Sequence, residues 1–201
     1  MTKHFSAAFG IGLGILLLAS LPFVFSDLDL ALSAAAFRQG GWPLGDRWLW
    51  IALYRWGTLP GLLLGIGSLA ALAASWFKPS WETYRRPAAV VLVTLLLGPG
   101  LLVNVLGKGY WGRPRPRDVI SLGGAEKFQR VCEPGLPGRG KSFPSGHPSV
   151  GYLFCVLFFL DSGKRRRWIW MGFGLILGTS LGIARDMQSA HFTSDVHWSG
   201  G

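Results

Sequence analysis

Lys108 and Arg115 stand seven positions apart in Lys108-Gly109-Tyr110-Trp111-Gly112-Arg113-Pro114-Arg115-Pro116. Pro144-Ser145-Gly146-His147-Pro148 follows, and Arg185, His191 and Asp195 close the series. Each residue type suits phosphoryl transfer. Lysine and arginine bind phosphoryl oxygens and stabilise their charge in a transition state. His191 and Asp195 are four apart, so on a helix they share a face. The carboxylate can then hold the imidazole in the tautomer whose other nitrogen is free to attack. His147 has no such partner and suits a general acid for the leaving oxygen. Ser145 and Gly146 precede Pro148 at an expected helix start, where backbone N–H groups face anions. Pro-Ser-Gly is also an ordinary turn, so this segment takes its meaning from the other two.

These residues need a frame that brings distant segments together. The chain has 201 residues, half of them hydrophobic, with 29 Gly and 10 Trp. Its mean hydropathy is +0.35. A soluble domain of this length does not carry several long apolar runs, whereas glycine at helix contacts and tryptophan at interfaces are membrane features. Five spans are expected: Phe5–Phe25, Thr58–Phe77, Ala88–Leu106, His147–Leu160 and Trp168–Ile183. A cleaved signal peptide is the rival reading of the first, but its apolar core is long and no small-x-small site follows. Ser26–Trp50 reads as a loop, with a short amphipathic helix around Leu28–Phe37 lying at the interface. Gly57, Gly61 and Gly65, and again Gly174, Gly178 and Gly182, recur every four residues as small faces for close helix approach. Gly98-Pro99-Gly100 should kink the third span, with neighbouring helices satisfying the freed backbone. A sixth span is begun near Asp195 and is unfinished at Gly201. The expected fold is an all-α integral membrane bundle, one domain over residues 1–201, truncated at its C-terminus.

Basic residues set the topology. Lys3, the loop with Lys78, Arg85 and Arg86, and the loop with Lys164 to Arg167 fall on one side, the cytoplasmic one. His4, beside Lys3, reads as a solvent-side residue. The three chemistry-bearing segments then converge on the outer face. The loop from Gly107 to Ser145 is also basic, which a positive pocket for an anionic substrate explains. The net charge of +10 fits phosphate groups or anionic lipid rather than nucleic acid. No acidic cluster or paired histidine spacing suggests a metal or other cofactor. Cys132 and Cys155 have no metal spacing, and no disulfide between them is expected. His197, two past Asp195, lies off the His191 face.

At these residues the chain resembles the type 2 phosphatidic acid phosphatase (PAP2) superfamily, which shares its core with vanadium haloperoxidases and bacterial acid phosphatases. The resemblance rests on Lys108…Arg115-Pro116, Pro144-Ser145-Gly146-His147 and Arg185…His191…Asp195, in order and correctly spaced. It implies a six-helix membrane form. It also implies His191 as nucleophile, Asp195 as its orienter and His147 as general acid. Lys108, Arg115 and Arg185 would bind phosphate, joined by Ser145 and Gly146. One departure is Ala184, where the family carries serine; one hydroxyl contact to phosphate is lost. Trp111 to Pro116, Gly123-Gly124 and Ala190-His191-Phe192 look like bacterial inner-membrane members that dephosphorylate lipid A on the outer leaflet. Arg113 and Arg117 are then candidate headgroup contacts, or bind bilayer phosphates.

The expected function is a lipid phosphatase of the bacterial inner membrane, its site on the periplasmic side, working through phosphohistidine. Candidate substrates are lipid A, phosphatidic acid, phosphatidylglycerophosphate and undecaprenyl diphosphate. A phosphotransferase using undecaprenyl diphosphate would employ the same residues, and labelled donor with and without acceptor separates the two. A non-catalytic binder of anionic lipid is the reading from another class; vanadate sensitivity discriminates against it.

Overall fold

The computed structural model describes the backbone of residues 2–200 and the side chains of residues 10–200. The side-chain readings at Lys3 and His4 therefore lie outside the described residues. Helices account for the architecture, and no strand forms among the described residues.

Helix α1 (Thr2–Phe25) covers the first expected span. It bends by 77° into α2 (Leu28–Ala36), the short helix expected from the Leu28–Phe37 pattern. Its Asp29 is buried in the protein rather than turned to the interface. Helix α3 (Trp48–Trp56) continues into α4 (Leu59–Phe77), giving 30 largely apolar residues. The sequence reading placed Trp48 to Trp50 in a loop and began the span at Thr58. The polar stretch instead stops at Arg47, and the run from Trp48 has no breaker before Gly57. Pro60 sits in the first turn of α4, where its missing N–H is harmless.

Helix α5 (Arg85–Leu95) opens the third span, which then widens into a π-helical run, Leu96–Gly107. This is where Gly98-Pro99-Gly100 was expected to kink. A widened turn accommodates the proline ring and its absent donor without a sharp bend. The Asn104 amide, within the same run, donates to the Pro99 carbonyl at 2.6 Å. A single turn, α6 (Lys108–Tyr110), ends this span. Helices α7 (Gly146–Tyr152) and α8 (Leu157–Leu160), joined by a 3₁₀ turn, form the fourth apolar segment. Helix α9 (Lys164–Met187) is the fifth. Helix α10 (Thr193–His197) and a 3₁₀ turn, Trp198–Gly200, occupy the place where a sixth helix was expected to begin.

The packing is that of a membrane bundle. Leu62, Leu63, Ile66 and Leu69 on α4 face outward, as do Leu96, Leu97 and Leu102 on the π-helical run. Small residues line the contacts instead. A Cβ on Gly151 would fall 2.6 Å from the Gly178 Cα, so α7 and α9 meet backbone to backbone. Gly61 meets Val150, and Gly182 meets Val196 of α10, with no space for a side chain. At the loop end of α4 the Arg85 guanidinium donates to the Ser75 carbonyl at 2.7 Å and lies over Trp76. That end carries Lys78, Arg86 and Lys164 to Arg167. Gly57, at the other end of α4, touches Leu181, one turn before Arg185. The basic loops and the chemistry-bearing residues therefore lie at opposite ends of helices roughly 28–36 Å long.

Candidate active site

Four separate segments meet at one end of the bundle. Lys108 arrives at the end of the π-helical run, where its ammonium donates to Asn104 Oδ1 at 2.7 Å. Gly146, first residue of α7, lies against that ammonium; a Cβ there would come within 2.8 Å of Nζ. His147 follows, its ring stacked on Tyr54 of α3 at 5.1 Å between centroids. Arg185, in the last turn of α9, lies over the same Tyr54 ring at 4.6 Å and donates to Gln188 Oε1 at 2.9 Å. Its Nε is buried without a partner among the described residues. Arg115 comes from the loop after α6. Burial and the neighbouring Arg117 charge lower its pKa, so an anion relieves an unfavourable environment.

His191 is almost fully buried beside these cations. Burial, then the charges of Arg185, Lys108 and Arg115, hold its pKa well below that of an ordinary imidazole, so it is neutral. Its Nδ1 lies 2.5 Å from the Ser142 carbonyl oxygen. A carbonyl only accepts, so Nδ1 carries the proton and Nε2 keeps its lone pair. The sequence reading gave this orienting task to Asp195. Asp195 Oδ2 is 4.0 Å from Nδ1 and does not hold the ring directly. It accepts the Ser142 hydroxyl at 2.5 Å and the Phe192 N–H at 2.8 Å. The carboxylate thus fixes Ser142, and the Ser142 carbonyl fixes His191. The cause is local: Asp195 caps the first turn of α10, which turns its oxygens toward the backbone ahead of it.

Arg113 completes this arrangement. It is fully buried, donating to Asp195 Oδ1 at 2.6 Å and to Asp29 Oδ2 at 2.8 Å. Its Nε donates to the Gln129 carbonyl at 3.0 Å. Asp29 also accepts the Ser194 N–H at 2.9 Å. Burial pushes the Asp195 carboxyl pKa up, while Arg113, Ser142 and the Phe192 N–H pull it down. The expected headgroup contact at Arg113 is therefore corrected: the side chain points inward because two carboxylates take its donors. Arg117 is exposed, as a headgroup contact requires.

Ser145 also differs from expectation. Its backbone N–H donates to the Asp195 carbonyl at 3.1 Å and is not free for an anion. Its hydroxyl is buried with no partner among the described residues and is the group that can donate. His197 takes no place beside these residues; its Nε2 lies 3.0 Å from the Leu16 carbonyl of α1. Asp186 does not pair with Arg185 but accepts the Thr193 hydroxyl at 3.0 Å. Cys132 and Cys155 are unbridged. Sequence reasoning missed Asp29, Tyr54, Ser142 and Ser194. Among the described residues, no three His, Cys, Asp or Glu side chains gather as metal ligands would.

An all-helical membrane bundle with three cations and a tautomer-fixed histidine at one end defines a class. The chain belongs to the PAP2 superfamily, whose profile matches residues 87–200. It is similar to the lipid A 4'-phosphatase of Rhizobium leguminosarum, 34% identical over 73% of this chain and 65% of the relative. It is 32% identical to the lipid A 4'-phosphatase of Rhizobium etli, over 73% of this chain and 59% of the relative. It is also 32% identical to that of Francisella tularensis subsp. novicida, over 58% of this chain and 53% of the relative. The chain thus spans less than two-thirds of the length of these relatives. No solved structure matches it significantly.

Proposed function

We propose that the chain is a membrane lipid phosphatase acting on a phosphate ester at headgroup depth. Lipid A, the substrate in the relatives' names, is the first candidate. The observation that carries this reading is the His191 ring. Its Nδ1–H is committed to Ser142, its Nε2 lone pair is free, and Lys108, Arg115 and Arg185 surround it.

The chemistry then runs in two displacements. Nε2 of His191 attacks phosphorus as the bond to the leaving oxygen breaks, and His147 gives that oxygen its proton. The three cations, with the Ser145 hydroxyl, stabilise the charge on the transferring phosphoryl group. Water next attacks the phosphohistidine, His147 takes its proton, the P–N bond breaks, and inorganic phosphate leaves. The basic loops at the far end of the bundle support a cytoplasmic placement of that end, with the site on the periplasmic side of a bacterial inner membrane.

Purified protein in detergent should release inorganic phosphate from a lipid phosphate monoester, with a chelator present. His191→Ala should abolish release. Full activity in that variant would remove the mechanism, and no release from any lipid phosphate would remove the function.

A further inference from the structure

Beside the proposed phosphate site, the loop between α6 and α7 encloses a cavity of about 480 Å³. This lies within the roughly 300–1,000 Å³ range of small-molecule sites. Its wall is backbone in close contact. Gly112, at φ +69°, abuts the Leu136 carbonyl, Gly124 abuts Asp118, and Gly140 abuts Arg113, each with no room for a Cβ. The cavity adjoins the site: the Arg117 N–H donates at 3.3 Å to the carbonyl of Ser189, two residues before His191. Pro114 and Arg117, on either side of Arg115, both line it.

The lining chemistry selects the ligand. Arg117 and Arg139 bring two positive charges, and Asp118 and Glu126 bring two negative ones, so the wall is neutral. A second phosphate gains nothing net there. An acyl chain would strand these polar groups without partners. Gln129 lines this wall, and its buried Oε1 has no donor among the described residues. A group offering several O–H donors and acceptors meets all of these needs at once.

We infer that this cavity receives a sugar of the substrate headgroup, its hydroxyls donating to Gln129 Oε1 and the carboxylates and accepting from Arg117 and Arg139. The inference rests on the phosphate ester itself lying at His191. It makes the enzyme selective for phosphorylated glycolipids over glycerol-based lipid phosphates.

Binding of two soluble, non-hydrolysable probes tests it: N-acetylglucosaminyl phosphonate and propyl phosphonate, titrated calorimetrically into the detergent-solubilised chain. The glycosyl probe should bind about tenfold more tightly, the worth of one or two hydrogen bonds to otherwise unpaired groups. Gln129→Met and Arg139→Ala should erase that preference and leave propyl phosphonate unchanged. Arg139 is exposed, so its loss does not threaten the fold. Equal binding of both probes, or equal weakening of both by the variants, overturns the inference. Phosphate release from a lipid phosphate is measured on the same preparation. No release with the preference intact removes the phosphatase reading and keeps the sugar cavity. Release without preference does the reverse.

Discussion

Arg113 and Asp29 lie 84 residues apart in the chain, and their side chains meet at 2.8 Å inside the protein. The same guanidinium holds Asp195, so α2 is tied through one arginine to the first turn of α10. Removing one partner from a buried ion pair costs roughly 3–5 kcal/mol, because the remaining charge stays buried and uncompensated. Arg113→Ala strands two carboxylates. It should lower the thermal unfolding temperature in detergent and nearly abolish activity. Arg113→Lys keeps the charge but loses the planar fork that serves both carboxylates. It should regain part of the stability while kcat stays reduced. Wild-type unfolding in Arg113→Ala would show that this network holds nothing.

Ser142 separates the two tasks of Asp195. Ser142→Ala removes the hydroxyl bond to a charged acceptor and leaves the carbonyl that faces His191. Hydrogen bonds to charged groups contribute about 1.5–3 kcal/mol. The variant should lose roughly 10- to 100-fold in kcat with little change in KM, since the ring loosens while the phosphate-binding cations stay. A raised KM at unchanged kcat would instead place Ser142 against the substrate.

These two residues also mark where the sequence stopped being informative. Lys108, Arg115, His147, Arg185 and His191 were legible because chemistry restricts both their types and their spacing. The spans were legible because lipid demands long apolar runs. Asp29 and Tyr54 were not. They precede the family-matched region, and only packing of α2 and α3 brings them to the site. The Ser142 contact uses a backbone carbonyl, which every residue has, so no side-chain pattern announces it. Arg113 alternates with Arg115 and Arg117 and reads as surface charge until its buried carboxylates are seen. The start of α3 was missed because tryptophans mark a membrane boundary as readily as a helix.

The pH dependence of stability follows from the buried neutral His191. In the unfolded chain its imidazole titrates at about 6.5, and in the folded protein well below that. Below about pH 6.5 the unfolded chain therefore binds a proton that the folded chain refuses. The contribution of His191 is complete above that pH and falls as pH drops, by up to about 1.4 kcal/mol per unit, until the folded pKa is reached. Unfolding measured from pH 7.5 to pH 5 should show this slope, and His191→Gln should flatten it. An unchanged slope in the variant would assign the proton uptake elsewhere. The same depressed pKa favours the unprotonated attacking nitrogen, so its titration should place any acid limb of kcat/KM well below the ordinary imidazole range.

His147 is assigned the leaving-group proton because it lies, like His191, beside Lys108 and Arg185, on α7 with its ring on Tyr54. A general acid matters in proportion to how poorly the departing oxygen bears charge. His147→Ala should therefore cost little with an aryl phosphate, whose phenolate leaves readily. With a phosphate ester of an alkyl or sugar alcohol it should cost roughly 10²- to 10⁴-fold in kcat/KM. Rates measured over a series of phosphate esters should give a steeper dependence on leaving-group basicity in the variant than in the wild type. The ring also packs on Tyr54, so a structural role would lower every rate by the same factor. Parallel lines for the two proteins would assign His147 to that packing and require another donor for the leaving oxygen.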